Sequence, residues 1–367
     1  MNDKPIGVGV IGVEPGRSWG AMAHIPALQA LPGYRVTALS TRRLESAQSA
    51  GAALGVANCY NNHAALIADP AVDLVAVTVK VPHHLELVRA ALAGGKMVFC
   101  EWPLGNGLEE ARALAAQARQ LGIRCGIGLQ ARSAPAVCYV RDLVADGFVG
   151  EVLSVTLVGS GLAWGPFTDD THAYLNDKRN GATMLSIPMS HTMDALCHCL
   201  GELSEVSATL ANRRTSSINV TTGAELRLTA EDQVAFTGRL EGGAVIAAHY
   251  RSGTLRGTNL LWEITGTDGE LRLAAASGHA QMADLELCGA QGDSQTLAPM
   301  SVPPQYRWSP PELTGPAVNV AQAYARFAED LRAGTRTCPD FDDAVQRHRM
   351  IAAIERSAAH GTRETVR

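Results

Sequence analysis

The part of the sequence that most constrains the fold lies near the N-terminus, between Ile6 and Leu28. A continuous apolar run from Ile6 to Val13 is typical of a strand that is buried on both faces of a parallel sheet. Glycines spaced four residues apart then predict a turn, and a helix with one apolar face follows. A strand, a glycine-rich turn and a helix form the corner where dinucleotide-binding folds hold phosphate, because backbone N–H groups and the positive helix end favour an anion. The candidate residues of this turn are Gly12, Gly16, Arg17, Ser18 and Trp19. The turn is longer than the common G-x-G-x-x-G pattern, so a purely structural strand-to-helix corner stays an alternative.

The end of the second predicted strand, Tyr34 to Leu39, indicates which nucleotide the fold would bind. In dinucleotide-binding folds, an acidic residue at this point accepts from the 2′-hydroxyl of NAD, whereas arginine suits the 2′-phosphate of NADP. Here the strand is followed by Ser40, Thr41, Arg42 and Arg43, with no acidic residue among them. The sequence therefore predicts NADP in preference to NAD, with a solvated helix start as the alternative explanation of the arginines.

The order of elements predicts two domains, since 367 residues exceed what one hydrophobic core usually serves. Strand and helix patterns alternate over residues 1–128, which predicts an α/β domain with a doubly wound parallel sheet that binds the dinucleotide. Over residues 129–367, successive strands joined by Gly242-Gly243 and Asp268-Gly269 turns predict an α+β domain with a large, mainly antiparallel sheet. This second domain would bind substrate, with C-terminal helices that pack back on the first domain as an alternative. An open face of its sheet predicts a homodimer or a homotetramer.

Net charge, apolar runs and cysteine spacing indicate which classes of binding partner the protein has. A net charge of −5 argues against a nucleic-acid surface, and no apolar run is long enough to cross a membrane. The 8 cysteines are scattered without metal-ligand spacing, which predicts no metal site and suits a reducing compartment. The residues before the first strand leave no room for a signal peptide. We therefore expect a cytoplasmic protein that acts on a small-molecule substrate.

Several motifs in a fixed order resemble one protein family. These motifs are ADPAVDLVAVTV, the Pro82-His83-His84 turn, GKMVFCEWPL, VGEV and CPDFDDAVQRHRMIAAIERSA. Together they resemble the glucose–fructose oxidoreductase, inositol dehydrogenase and rhizopine-catabolism family, written Gfo/Idh/MocA. The resemblance implies an N-terminal Rossmann domain and a C-terminal domain with a large sheet. The stretches GRSW, VKVP, LQARSAP and SHTMDAL are most similar to a subgroup of that family, the yeast galactose-pathway repressors, which regulate transcription through protein contacts.

The resemblance also assigns the chemistry, with two departures. The family's usual proton-relay lysine, in its Glu-Lys-Pro motif, is replaced by Trp102, which follows Glu101. The aspartate that many members place near the substrate is replaced by Ile187. His191 matches the family's general acid/base histidine, with a hydrogen-bonded core histidine as the alternative. Asp194, three residues further along the same helix, would orient the imidazole or bind substrate.

Two lysines are candidates to replace the missing one. Lys80 interrupts the apolar strand predicted from Asp73 to Val81, near the edge where ligands bind to doubly wound sheets. A charge in a buried strand needs a partner, so Lys80 is expected to meet cofactor, substrate or Glu101, or to form a purely structural Lys–Glu pair. Lys178 lies in a polar loop and would either reach the substrate or be solvated.

The candidate residues fall into three sets. The predicted catalytic residues are His191, Lys80 and Asp194. The predicted cofactor-binding residues are Gly12, Gly16, Arg17, Ser18, Trp19, Thr41, Arg42, Arg43, Val79, Pro82, His84, Glu101 and Trp102. The predicted substrate-binding residues are Arg132, Trp164, Tyr174, Lys178 and Asn180.

Three functions fit these residues. The first is an NADP-dependent oxidoreductase that transfers a hydride between the nicotinamide and a carbinol or carbonyl carbon of a sugar, polyol or similar polar substrate. The second is a sensor that binds NADP without turnover and acts through a protein partner. The third is the reduction of an imine or another C=N group, for which a missing lysine matters less.

Overall fold

The computed structural model describes residues 4–366, which divide into two compact units. Unit 1 contains the chain up to Gln130 together with Trp308–Gln346, and unit 2 contains Ala131–Arg307 and the chain from Arg347 on. The boundary at Gln130 lies two residues after the predicted one. Residues 308–346, which include the helical segment Ala317–Ala333, belong to unit 1.

Unit 1 is built on a six-stranded sheet in which every pairing is parallel. Its strands are β1 (Ile6–Ile11), β2 (Tyr34–Ser40), β3 (Asn58–Tyr60), β4 (Leu74–Val77), β5 (Met97–Glu101) and β6 (Cys125–Gly128). The strand order is β3-β2-β1-β4-β5-β6. The order reverses direction between β1 and β4, and ligands of doubly wound sheets bind beyond the carboxyl ends of the strands at such a point. The predicted doubly wound sheet is confirmed.

Nine α-helices are described within residues 4–366, in both units. They are α1 (Ile25–Ala30), α2 (Leu44–Leu54), α3 (His63–Ala68), α4 (His84–Ala93), α5 (Leu108–Leu121), α6 (Pro135–Ala145), α7 (Ser190–Leu200), α8 (Ala317–Ala333) and α9 (Phe341–His360). The boundary between the units falls within α9. Two five-residue π-helical turns, Gly20–His24 and Leu185–Met189, directly precede α1 and α7.

The core of unit 1 explains why the late segment 308–346 belongs to it. The interior of β1 is buried, with Val8 and Val10 fully inaccessible to solvent. Helix α8 packs against α1, and its Tyr324 ring lies 4.4 Å from the ring of Phe99 on β5, centroid to centroid. Burial of these large apolar side chains is the main force that holds α8 to the sheet.

Unit 2 contains a nine-stranded sheet and a three-stranded sheet. Its strands are β7 (Val152–Gly161), β8 (Phe167–Thr168), β9 (Leu203–Ala211), β10 (Ser216–Asn219), β11 (Glu225–Arg227), β12 (Gln233–Leu240), β13 (Val245–Ser252), β14 (Leu260–Gly266), β15 (Gly269–Ala275), β16 (Glu286–Gln291), β17 (Ala298–Pro299) and β18 (Glu364–Thr365). The large sheet has the order β17-β16-β15-β14-β7-β13-β12-β9-β18, and its pairings are antiparallel except for β7 with β13. The predicted large, mainly antiparallel sheet is therefore confirmed.

One face of the large sheet is covered and the other is open within unit 2. On β13, Ile246, Ala248 and Tyr250 are buried, whereas the alternating Val245 and Ala247 are exposed. This period of two is the pattern of a strand with one solvated face.

Two absences hold for residues 4–366. No helix there combines the length and the apolar character that a membrane span requires. No group of three or more histidine, cysteine, aspartate and glutamate side chains there is arranged to hold a metal ion.

Candidate functional site

The extended turn after β1 is held in shape by its own residues. Gly12 has a φ of +99°, and a Cβ at this position would lie 2.5 Å from a methyl carbon of Val79. The Ser18 hydroxyl accepts a hydrogen bond from the N–H of Glu14 (2.8 Å) and donates one to the carbonyl oxygen of Glu14 (3.2 Å). Glycine is thus required at position 12 both by its backbone conformation and by the close approach of β4's following loop. In this turn, which is longer than the G-x-G-x-x-G pattern, the two hydrogen bonds between Ser18 and Glu14 close the loop.

The same turn has the features that suit a bound anion. The indole N–H of Trp19 is buried and has no acceptor among the described residues. Gly16 has a φ of +73° with open space around it, and Arg17 is exposed beside Glu14 at 3.5 Å. A buried donor without a partner is unfavourable, and a phosphate oxygen would satisfy it. The turn therefore fits the pyrophosphate of a dinucleotide.

The loop after β2 carries positive charge without a neighbouring carboxylate partner. The Thr41 hydroxyl donates to the carbonyl oxygen of Arg43 (2.8 Å), which folds the loop before α2 begins. Arg42 and Arg43 are exposed, and neither forms an ion pair within residues 4–366. The Nη2 of Arg42 donates to Nε2 of His83 (3.1 Å). Glu45, in the first turn of α2, is the acidic residue nearest in sequence.

The structure corrects the placement of Lys80. Strand β4 ends at Val77, and Lys80 is exposed at the start of a 3-10 helix that spans Val81–His83. Directly after the strand, the N–H (3.1 Å) and the hydroxyl (2.9 Å) of Thr78 both donate to the carbonyl oxygen of Ile11, the last residue of β1, and Lys80 lies beyond this contact. The prediction that Lys80 interrupts a buried strand is therefore wrong. A role for Lys80 beside cofactor or substrate stays a prediction, without the burial argument.

His84 connects two loops through its ring. The side chain is buried, with Nδ1 2.7 Å from the carbonyl oxygen of Pro103 and Nε2 2.9 Å from that of Val79. Burial lowers the pKa of His84, although both carbonyl groups favour the protonated ring. These contacts place His84 between the loop after β4 and the loop after β5. Its neighbours Pro82 and His83 are exposed, and the contact between His83 and Arg42 was not predicted from the sequence.

A buried hydrogen-bond chain fixes Glu101 at the end of β5. The Nε2 of His24 lies 2.8 Å from a carboxylate oxygen of Glu101, and its Nδ1 lies 2.8 Å from the hydroxyl of Tyr324. A neutral imidazole satisfies both contacts by donating from Nε2 and accepting the tyrosine proton at Nδ1. Glu101, one of the partners expected for Lys80, is thus held by His24. Trp102, the residue that follows it, is also buried.

Sequence reasoning missed His24 and Tyr324. The only signal was a histidine within the apolar run that leads into α1. Tyr324 lies 300 residues away in the chain, so no local pattern could have shown the contact.

His191 is at the start of α7, directly after the π-helical turn Leu185–Met189. Its side chain is 2% exposed. The next residue, Thr192, donates to the carbonyl oxygen of Pro188 (3.1 Å) and accepts from the hydroxyl of Tyr250 on β13 (2.6 Å). Burial raises the pKa of Tyr250, so this hydroxyl keeps its proton and remains a donor. The start of α7 is therefore anchored to the large sheet, and π-helical turns of this kind are frequent at functional sites.

Asp194 belongs to a buried group of charges that was not predicted. Its carboxylate accepts from Nε of Arg132 (2.7 Å) and from Nη2 of Arg132 (2.5 Å), and it lies 3.5 Å from Nε of Arg347. Arg347 also pairs with Glu202 and donates to the sulfur of Cys197 (3.2 Å). A carboxylate that is 0% exposed needs counter-charges, and the two arginines supply them. Substrate-binding roles for Asp194 and Arg132 stay predictions, but both side chains already have internal partners.

The loop between β7 and α7 brings several predicted substrate residues together. Trp164 is buried with a φ of +59°, which is unusual for a bulky residue, and its indole N–H donates to the carbonyl oxygen of Leu175 (3.0 Å). Asn180 donates to the carbonyl oxygen of Tyr174 (2.7 Å), and burial raises the pKa of Tyr174 to about 12. Lys178 is exposed. The loop is thus internally ordered, with Lys178 on its solvent side.

These features define a class of protein: a Rossmann unit with an anion-fitting turn, joined to a unit whose large sheet supports a histidine-bearing helix. Residues 6–129 match the model of the oxidoreductase family with an NAD-binding Rossmann fold, and residues 135–275 match that of the Gal80p C-terminal domain. The chain is 30% identical to the dehydrogenase aclE of Aspergillus oryzae, over 98% of this chain and 97% of that protein. The chain belongs to the Gfo/Idh/MocA oxidoreductase family, as the sequence motifs predict.

Two solved structures share this fold. A super-repressor mutant of Gal80p from Saccharomyces cerevisiae has a TM-score of 0.89 at 23% identity, with 99% of this chain and 98% of that chain covered. Levoglucosan dehydrogenase, in complex with NADH and levoglucosan, has a TM-score of 0.85 at 22% identity, with 99% and 100% covered. The fold is therefore common to a regulator and to a sugar dehydrogenase.

Proposed function

We propose that this protein is an NADP-dependent oxidoreductase that acts on a sugar, a polyol or a similar small polar substrate. The observation that carries the proposal is the setting of His191. It is a buried histidine at the start of α7, and the hydrogen bond between Thr192 and Tyr250 anchors that helix start to the large sheet. A general acid/base must be positioned rigidly beside the group that it protonates. The full-length similarity to a dehydrogenase and the anion-fitting turn support the same function.

Residues of unit 1 would hold the cofactor. The turn from Gly12 to Trp19 would bind the pyrophosphate, and Arg42 and Arg43 would bind the 2′-phosphate. Glu101 and Trp102 lie at the carboxyl end of β5, on the side of the sheet where the nicotinamide half is expected. When bound, the nicotinamide supplies or accepts the hydride.

Residues of unit 2 would bind the substrate and move the proton. His191 would take the proton of a substrate hydroxyl at a ring nitrogen during oxidation and return it during reduction. Trp102 can donate a hydrogen bond but cannot carry a proton near neutral pH, so the proton step falls to His191, with Lys80 as a second candidate. Trp164 and Tyr174 would stack on an apolar sugar face, and Asn180 would offer polar contacts.

The test is turnover of a panel of sugars, polyols, keto acids and imines, followed by NADPH absorbance. His191→Ala should lower kcat by roughly 10²–10⁴ while NADPH binding is retained. The matched control is His198→Ala, on the same helix, whose ring accepts from Arg141 (3.4 Å); its kcat should stay near the native value. Undiminished turnover in His191→Ala would show that the proton is handled elsewhere.

A second candidate function is a regulator that binds NADP without turnover and acts through a protein partner. It is favoured by the match of residues 135–275 to the Gal80p C-terminal domain and by Trp102 in place of the family's lysine. NADPH binding together with no turnover across the whole panel would select this function. Turnover of imines alone would select a third candidate, a C=N reductase.

A further inference from the structure

The side chains of Arg42 and His83 join the loops on either side of β1. In the strand order β3-β2-β1-β4, strands β2 and β4 both neighbour β1, and all three end at the same edge of the sheet. Arg42 follows β2 and His83 follows β4, and Nη2 of Arg42 lies 3.1 Å from Nε2 of His83. Both residues are exposed. The pair therefore lies at the crevice where a doubly wound sheet binds its nucleotide.

The chemistry of the pair decides which atom donates. A guanidinium carries only donors, so Nε2 of His83 must present its lone pair, and the neutral ring then carries its proton on Nδ1. Arg42 has no carboxylate partner among residues 4–366, and Nη2 makes its hydrogen bond to His83 there. The remaining N–H donors of Arg42 point to no acceptor within this part of the chain. A long, exposed arginine samples many rotamers, and the hydrogen bond to His83 favours the one in which Nη2 reaches Nε2.

We propose that His83 is a positioning residue for cofactor selectivity, which holds Arg42 ready to bind the 2′-phosphate of NADP. This inference rests on the proposed NADP-dependent function. Ordering a flexible side chain at a binding site weakens affinity, so an arginine that is already ordered binds its phosphate more tightly. His83 acts through Arg42, and its effect should therefore be confined to ligands that carry the 2′-phosphate.

The experiment uses two nucleotide fragments that lack the nicotinamide: adenosine 2′,5′-bisphosphate and adenosine 5′-monophosphate. Their Kd values are measured by isothermal titration calorimetry on the full chain. His83→Ala should weaken the bisphosphate roughly three- to tenfold and leave the monophosphate unchanged. His83→Asn should restore most of the affinity, because its amide oxygen accepts from Arg42. His83→Ala should have no further effect in an Arg42→Ala background. His360→Ala, an exposed histidine at the end of α9, is the matched control.

The outcomes separate the two proposals. If the native protein binds both fragments equally, NADP selectivity itself fails. If the native protein selects the bisphosphate and Arg42→Ala abolishes this, but His83→Ala does not reduce it, the positioning role of His83 is overturned. A loss in His83→Ala that His83→Asn does not restore also overturns it, since the role depends on the acceptor atom.

Discussion

Removal of the Asp194 carboxylate should strongly destabilise unit 2. Asp194 is 0% exposed, and its oxygens accept two hydrogen bonds from Arg132 and lie 3.5 Å from Nε of Arg347. Without it, Arg132 loses both of these hydrogen bonds, and Arg347 loses one of its two carboxylate neighbours, the other being Glu202. Breaking a buried ion pair by removing one partner costs about 3–5 kcal/mol, because the other charge remains buried.

The burial of each arginine determines how much of the lost interaction hydration can replace. Arg347 is 1% exposed and cannot recover its hydration, whereas the side chain of Arg132 is 10% exposed and recovers part of it. We therefore expect Asp194→Ala to lower the free energy of unfolding by about 3–5 kcal/mol. Asp194→Asn keeps the size and one acceptor, and should lie near the lower end of this range, at about 3 kcal/mol.

The assay is urea denaturation followed by tryptophan fluorescence, with Glu109→Gln as the control. Glu109 pairs with Arg112 at 2.8 Å but is 84% exposed, so its loss should change the free energy of unfolding by less than about 1 kcal/mol. A double variant, Asp194→Leu with Arg347→Met, tests whether the unpaired buried charge causes the loss of stability. It removes the charges of Asp194 and Arg347 together and should be less destabilised than Asp194→Ala. A loss below about 1 kcal/mol in Asp194→Ala, or a double variant that is worse than the single one, would refute the argument.

Three further predictions concern the cofactor, pH and assembly. Arg42→Ala should weaken NADPH binding by about 1–3 kcal/mol, the strength of a charge-assisted hydrogen bond, and leave NADH unchanged; equal changes in the two fluorescence titrations would contradict this. Burial lowers the pKa of His279 to about 4, and its Nε2 accepts from the N–H of Leu162 (3.1 Å). Because the unfolded value is about 6.5, the stability from neutral His279 is present above pH ~6.5 and is lost as the pH falls towards ~4. The free energy of unfolding, measured by denaturation at several pH values, should depend less on pH over this window in His279→Gln than in the native protein. An unchanged pH dependence would exclude His279 as its cause. The open face of the large sheet should form a homodimer or homotetramer, so Ala247→Glu should give a monomeric mass in light scattering, and a native monomer at micromolar concentration would exclude the interface.

The sequence determined the architecture because burial in regular elements is a local pattern. The apolar run of β1, the glycine turn after it and the alternation of strands and helices predict the parallel sheet from neighbouring residues alone. The period of two along β13 likewise predicts a sheet with one open face. Motifs along the whole chain identify the family, and the apolar pattern around SHTMDAL places His191 and Asp194 on one helix.

Only the tertiary structure decided which side chains meet. Asp194 and His191 share a helix, but the ion-pair partners of Asp194 are Arg132 and Arg347. Both arginines are far from Asp194 in the sequence, so no local pattern could predict these ion pairs. Strand β4 stops at Val77, before Lys80, and the apolar run alone could not show this end point. The contact between Arg42 and His83 depends on the order of the strands, since it is the sheet that sets their loops on either side of β1. Periodicity reports which residues are buried, whereas hydrogen bonds and ion pairs depend on which distant elements the core brings together.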